Sequence, residues 1–133
     1  KVLQSVSECI LQPQSDLDKV RQFLHQHHFC IVQEKMLIDE GKYYTVMRVV
    51  HGKESPYTEA EDLYGRHLID DKSPVLAKYL AGQKNVKEKL LEALYSKDSE
   101  KSLKRQQELL HELQMINDTI ARMVDENAEQ RAD

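Results

Sequence analysis

Apolar positions along this chain follow two different periods. Up to about residue 72 they come in short runs divided by turn residues, and beyond Ser73-Pro74 they form two long helical stripes. Ser7 to Leu11 predicts a short strand that stops at Gln12-Pro13-Gln14, because Pro13 has no N–H and holds Gln12 extended. Ser15 predicts an N-cap with Asp18 three residues on, and Leu17, Val20, Phe23, Leu24 and His27 then share one helical face. Phe29 to Ile38 predicts a strand with Cys30, Val32, Met36 and Ile38 alternating, interrupted by Glu34. Asp39-Glu40-Gly41-Lys42 predicts a hairpin turn, and Tyr43 to Val50 the returning strand. Strand, helix and two tightly joined strands read as a parallel crossover followed by an antiparallel hairpin.

Ser55-Pro56 opens a loop, Thr58 and Glu61 predict a capping box, and Gly65 closes the short helix they start. Ser73-Pro74 combines an N-cap residue with proline at the first helical position. Leu76, Tyr79, Leu80, Val86, Leu90, Ala93 and Leu94 make the stripe of that helix, weakened at Gly82 by about 1 kcal/mol relative to alanine. Ser96-Lys97-Asp98-Ser99 is a polar break. Leu103, Leu110, Leu113, Ile120 and Val124 then keep near-heptad spacing, flanked by Leu109, Ile116 and Met123, with Asn117 expected on the seam. A break this short favours antiparallel neighbours. The expected organisation is α/β plus α. Residues 1–54 close an α/β domain, 55–72 connect, and 73–133 form a helical hairpin or coiled coil. The first half reads as the end of a domain, so the chain reads as the C-terminal part of something larger.

Composition narrows the function classes. The net charge of −4 excludes a uniformly basic nucleic-acid binder, so local charge decides that question. No apolar run approaches the ~18–20 residues of a membrane span. Cys9 and Cys30 sit in strand-like runs and are expected as buried thiols of a reducing cytoplasm. His25, His27, His28 and Cys30 do not converge on helical geometry, so no metal site is expected. Between Lys72 and Arg105 the basic residues include Lys84, Lys87, Lys89, Lys97, Lys101, Lys104 and Arg105, whereas the chain beyond is mainly acidic. A positive hairpin tip is either a phosphate-contacting surface or a solvated coiled-coil exterior. No nucleophile with a paired base stands out.

Several segments resemble one family. They are Cys9-Ile10-Leu11-Gln12-Pro13-Gln14, Val20-Arg21-Gln22-Phe23-Leu24, Gly41-Lys42-Tyr43-Tyr44, and Glu61-Asp62-Leu63-Tyr64-Gly65 leading into Ser73-Pro74-Val75-Leu76. In order and spacing over about residues 1 to 96 they resemble the C-terminal half of the bacterial tRNA adenine N(1)-methyltransferases. The resemblance implies a class I Rossmann-like methyltransferase domain followed by a coiled-coil domain. It also implies S-adenosylmethionine as cofactor and tRNA as partner, with methyl transfer to the N(1) ring nitrogen of an adenine. The cofactor loop and the catalytic acid would lie upstream, so no catalytic residue is expected here and the chain alone should be inactive. Lys1 to Ser5 would be a helix tail, Ser7 to Leu11 the fifth strand of seven, and the hairpin the last two. Gln12, Pro13 and Gln14, at a strand's carboxyl end, become a candidate substrate pocket, and family members often have Asn where this chain has Gln14. The seven basic residues from Lys84 to Arg105 become candidate RNA contacts. The expected compartment is the cytoplasm, with no membrane or metal, and an exposed strand edge would invite self-association. The alternative is a non-catalytic helical protein-interaction module.

Overall fold

The computed structural model describes the backbone of residues 8–132 and the side chains of residues 8–124. Its elements are β1 (Glu8–Leu11), α1 (Leu17–Gln26), β2 (Phe29–Asp39), β3 (Lys42–His51), α2 (Glu59–Tyr64), α3 (Arg66–Asp70), α4 (Pro74–Leu94) and α5 (Glu100–Ala132). Ser7 and the helix tail expected over Lys1 to Ser5 lie outside the described residues. The chain divides into two compact units, Lys1–Leu76 and Ala77–Asp133.

In the first unit the strand order is β1-β3-β2, and β3 runs antiparallel to both neighbours. The crossover through α1 therefore joins two strands of the same direction, with the hairpin's return strand inserted between them. The turn between β2 and β3 places both Glu40 and Gly41 at positive φ, 50° and 80°, the signature of a primed hairpin turn. Leu24, Phe29, Ile31, Met47 and Val49 form the core, with Leu11, Leu17, Val20 and Tyr57 packed against it. On the other face Ile10 and Leu37 stay 62% and 53% exposed.

Two expectations about this unit are corrected. The inward positions of β2 are Phe29, Ile31, Glu34 and Met36, not Cys30 and Val32. Pairing shifts between Ile31 and Gln33, so Val32 is the extra residue of a bulge and the alternation inverts beyond it. Glu34, read as an interruption, thereby faces inward and is 3% exposed. In α1 the N-cap is Asp16 in a left-handed conformation with no side-chain cap, not Ser15. The inward face carries Arg21 rather than Phe23, which is 49% exposed and packs its ring on His27 at 4.2 Å. Cys9 and Cys30 are free and half-buried.

In the second unit α4 and α5 run antiparallel. Leu91, Leu109 and Leu113 form a cluster joined by Leu94. The seam of α5 runs through Ser102, Leu109, Ile116 and Met123, all buried, whereas Leu103, Leu110, Asn117 and Val124 face outward. Of the expected row, Leu113 is buried in the cluster, whereas Leu103, Leu110 and Val124 give way to the flanking Leu109, Ile116 and Met123, and Asn117 is exposed. On α4, Val86 and Leu90 are likewise exposed. The polar residues Ser102 and Gln106 occupy the seam because they bind the end of α4. Gln106 Nε2 donates to the Leu94 and Lys97 carbonyls at 2.9 and 3.2 Å, and Ser102 Oγ lies 3.3 and 3.2 Å from the same oxygens. The Leu94 carbonyl also accepts from the Lys97 N–H at 2.9 Å, so backbone and side chains together hold the turn that follows α4.

Candidate nucleic-acid interface

Gln12, Pro13 and Gln14 follow the last residue of β1. Leu11 pairs with Met47 and points its side chain to the core, which fixes where the strand ends. Both amides are exposed, and Pro13 is half-buried. Neither amide side chain bonds a described residue, so each can offer a donor and an acceptor to a ligand.

A buried ion pair that the sequence did not announce positions the adjoining helix. Arg21 Nε and Nη2 both meet Glu34 Oε1, each at 3.0 Å, and Arg21 Nη1 donates to the Asp62 carbonyl at 2.6 Å. The two side chains are 1% and 0% exposed. Glu34 Oε2 is buried without a partner. Burial raises the Glu34 carboxyl above its ordinary value, against the lowering pull of Arg21. Gly65, at φ 93°, lies against this pair: a Cβ there would stand 3.0 Å from Arg21 Nη2 and closer still to Glu34 Oε2. The only signal in the sequence was Glu34 itself, a carboxylate inside an apolar run.

Glu54 is a second tie. Its Oε2 accepts from the Ile31 N–H at 2.9 Å and contacts His25 Nε2 at 2.7 Å, fastening the segment after β3 to α1 and β2. Tyr57 lies beside it, with the His25 ring edge-on at 4.3 Å and the Arg66 guanidinium over its face at 4.3 Å. The capping box read at Thr58 and Glu61 is present, with both reciprocal hydrogen bonds, and Glu61 also holds Arg66 at 3.1 Å.

The seven basic residues of the hairpin separate into three groups. Lys87 Nζ binds Glu112 at 3.2 Å, and Arg105 binds both Glu108 and Glu112 at 3.1 and 3.2 Å. Lys84 is half-buried. Lys89, Lys97, Lys101 and Lys104 are exposed, and none forms an ion pair with a described carboxylate. Lys97 lies in the break between the helices, and Lys101 and Lys104 in the first turns of α5, so all three belong to the hairpin's tip end. The four glycines, Gly41, Gly52, Gly65 and Gly82, include none between β1 and α1. The described residues therefore do not fit a phosphate- or nucleoside-cradling loop of the class I type.

A family model described as TrmK, tRNA (adenine(22)-N(1))-methyltransferase, matches residues 1–118. No curated protein matches the chain. Among solved structures, Sp1610 of Streptococcus pneumoniae, a candidate tRNA (m1A22) methyltransferase, is 29% identical with a TM-score of 0.77, over 89% of this chain and 51% of its own. Its complex with S-adenosyl-L-methionine aligns at 27% identity and a TM-score of 0.74, covering 89% of this chain and 49% of its own. A Streptococcus agalactiae protein of the NADB-Rossmann superfamily is 24% identical with a TM-score of 0.77, covering 90% and 50% of the two chains. This chain thus spans about half the length of the structures it resembles. The strands share the fold of these methyltransferase structures, as the resemblance implied, and the family uses S-adenosylmethionine. With a family model matched across most of its residues, the chain belongs to the TrmK family of tRNA (adenine(22)-N(1))-methyltransferases.

Proposed function

We propose that this chain is the C-terminal part of an S-adenosylmethionine-dependent enzyme that methylates N(1) of an adenine in tRNA, and that its helical hairpin helps to hold the tRNA. The family match over residues 1–118 carries the proposal. Gln12, Pro13 and Gln14 would line the substrate side of the sheet, where ligands of open α/β sheets bind beyond the strands' carboxyl ends. The exposed lysines Lys89, Lys97, Lys101 and Lys104 would neutralise phosphates, while half-buried Lys84 and the carboxylate-paired Lys87 and Arg105 would assist. The cytoplasm is the compartment that goes with a tRNA substrate. The outward row of Leu103, Leu110 and Val124 on α5 supports a second reading, in which the hairpin is a protein-interaction arm.

The test uses the full-length protein and an unmodified tRNA transcript. The full-length protein should convert adenine 22 to its N(1)-methyl form, read as a primer-extension stop and by nucleoside mass spectrometry. The 133-residue chain alone should neither methylate nor bind the cofactor in calorimetry. Absence of methylation by the full-length protein, or micromolar cofactor binding by this chain, would overturn the proposal.

A further inference from the structure

The chain has six tyrosines, and five are half-buried. Tyr57, for example, is enclosed between His25 and Arg66. Tyr95 differs. It is 61% exposed, at the end of α4, and its side chain makes no hydrogen bond or ring contact among the described residues. Packing does not explain it, since the hairpin cluster is formed by Leu91, Leu94, Leu109 and Leu113. Its backbone is nevertheless fixed: Tyr95 N–H donates to the Leu91 carbonyl at 3.1 Å, and the carbonyls on either side of it, at Leu94 and Lys97, are clamped by Gln106. Lys97 follows Tyr95 two residues on, and Lys101 and Lys104 stand in the first turns of α5, all three exposed.

An exposed aromatic ring on a hydrogen-bonded turn, followed within ten residues by three exposed lysines, has the makeup of a single-strand nucleic-acid contact. Cations attract the backbone, and the ring offers a face to a base in any sequence. A duplex region could not use the ring, because its bases are already stacked on one another. We propose that Tyr95 is a stacking platform for an unpaired base of the bound RNA. This inference rests on the RNA-binding reading of the hairpin and adds to it that the tip meets looped, not duplex, RNA.

The experiment measures affinity of the full-length protein for an unmodified tRNA transcript and for a blunt RNA duplex, each over a range of salt. The variants are Tyr95→Ala, Tyr95→Phe and Lys101→Gln. Tyr95→Ala should weaken tRNA binding roughly 5- to 150-fold with an unchanged salt slope, because stacking releases no counterions. Tyr95→Phe should bind like the parent, and duplex affinity should be the same in all three Tyr95 forms. Lys101→Gln should instead flatten the slope by nearly one unit. If Tyr95→Ala binds tRNA as the parent does, the stacking role is wrong while the RNA reading stands, and the ring is left for a protein partner. An equal loss on the duplex would also refute it. If the parent shows no salt-dependent tRNA affinity, the RNA reading itself fails, and the stacking inference with it.

Discussion

Removing one half of the Arg21–Glu34 pair should cost far more than removing both halves. Glu34→Ala deletes the oxygen on which Arg21 Nε and Nη2 converge at 3.0 Å. Water cannot take its place easily, because the Arg21 side chain is 1% exposed. Two buried donors lose their acceptor, at about 1–3 kcal/mol each. The guanidinium keeps only the Asp62 carbonyl, 2.6 Å from Nη1. The expected loss is about 3–5 kcal/mol, the range for a buried charge stripped of its partner. Arg21→Met combined with Glu34→Leu removes both charges and refills the space with apolar atoms. It also removes the unpartnered Glu34 Oε2, a cost the parent already bears. The double variant should therefore fall within about 1 kcal/mol of the parent or exceed it. Urea unfolding followed by near-ultraviolet circular dichroism reads this unit through Tyr57, whose ring lies 4.3 Å from the Arg66 guanidinium. A Glu34→Ala variant within about 1 kcal/mol of the parent would refute the reasoning. So would a double variant as unstable as the single one.

Two further outcomes follow from the electrostatics. Burial raises the carboxyls of both Glu34 and Asp62, so each favours the folded state while protonated. Their contribution is complete below the ordinary carboxyl range and is lost as pH rises through the raised values. Glu34→Gln should flatten that fall in thermal stability above the ordinary carboxyl range, and a profile identical to the parent's would count against it. At the hairpin, simultaneous Lys89, Lys97, Lys101 and Lys104→Glu substitutions should abolish a salt slope of about −3, at ~0.7–0.9 per phosphate contact. Lys87→Glu should instead destabilise the hairpin, because Lys87 binds Glu112 at 3.2 Å. Unchanged tRNA affinity in the fourfold variant would leave the tip without a phosphate-contacting role.

What was legible in the sequence was local. The capping box of Thr58 and Glu61, the Ser73 cap that accepts from the Leu76 N–H, and the turn at Gly41 each depend on residues within a few positions of one another. What was not legible depended on partners far along the chain. The bulge at Val32 is defined by pairing with β3, and it alone turns Glu34 toward Arg21, thirteen residues away in sequence. Without the bulge, strict alternation would count Glu34 on the same face as Cys30 and Val32, which is how an inward carboxylate came to look like a mere interruption. The families of functional residues divide in the same way. Gln12, Pro13 and Gln14 could be placed at a strand end from Pro13 alone. The separation of the hairpin cations into paired and free could not, because it depends on which carboxylates of α5 face α4.

The register of α5 shows why periodicity alone misplaces a surface. The helix carries two heptad rows one residue apart: Ser102, Leu109, Ile116 and Met123, and Leu103, Leu110, Asn117 and Val124. Each row has three apolar members and one polar one, so counting apolar residues cannot choose between them. The choice is made by a polar requirement at the tip. The carbonyls of Leu94, the last residue of α4, and of Lys97 in the turn beyond it accept from side chains, and the first row, with Gln106 one turn on from Ser102, brings them a hydroxyl and an amide. Once those bonds form, the second row faces outward, and Tyr95 stands on a hydrogen-bonded turn at the same end of the hairpin as Lys97, Lys101 and Lys104. The arrangement of the tip thus goes with the bonding of these backbone carbonyls. It makes Gln106 the position to probe: Gln106→Leu should preserve helicity yet loosen the turn, whereas a seam leucine such as Leu109, fully buried, would destabilise the hairpin itself.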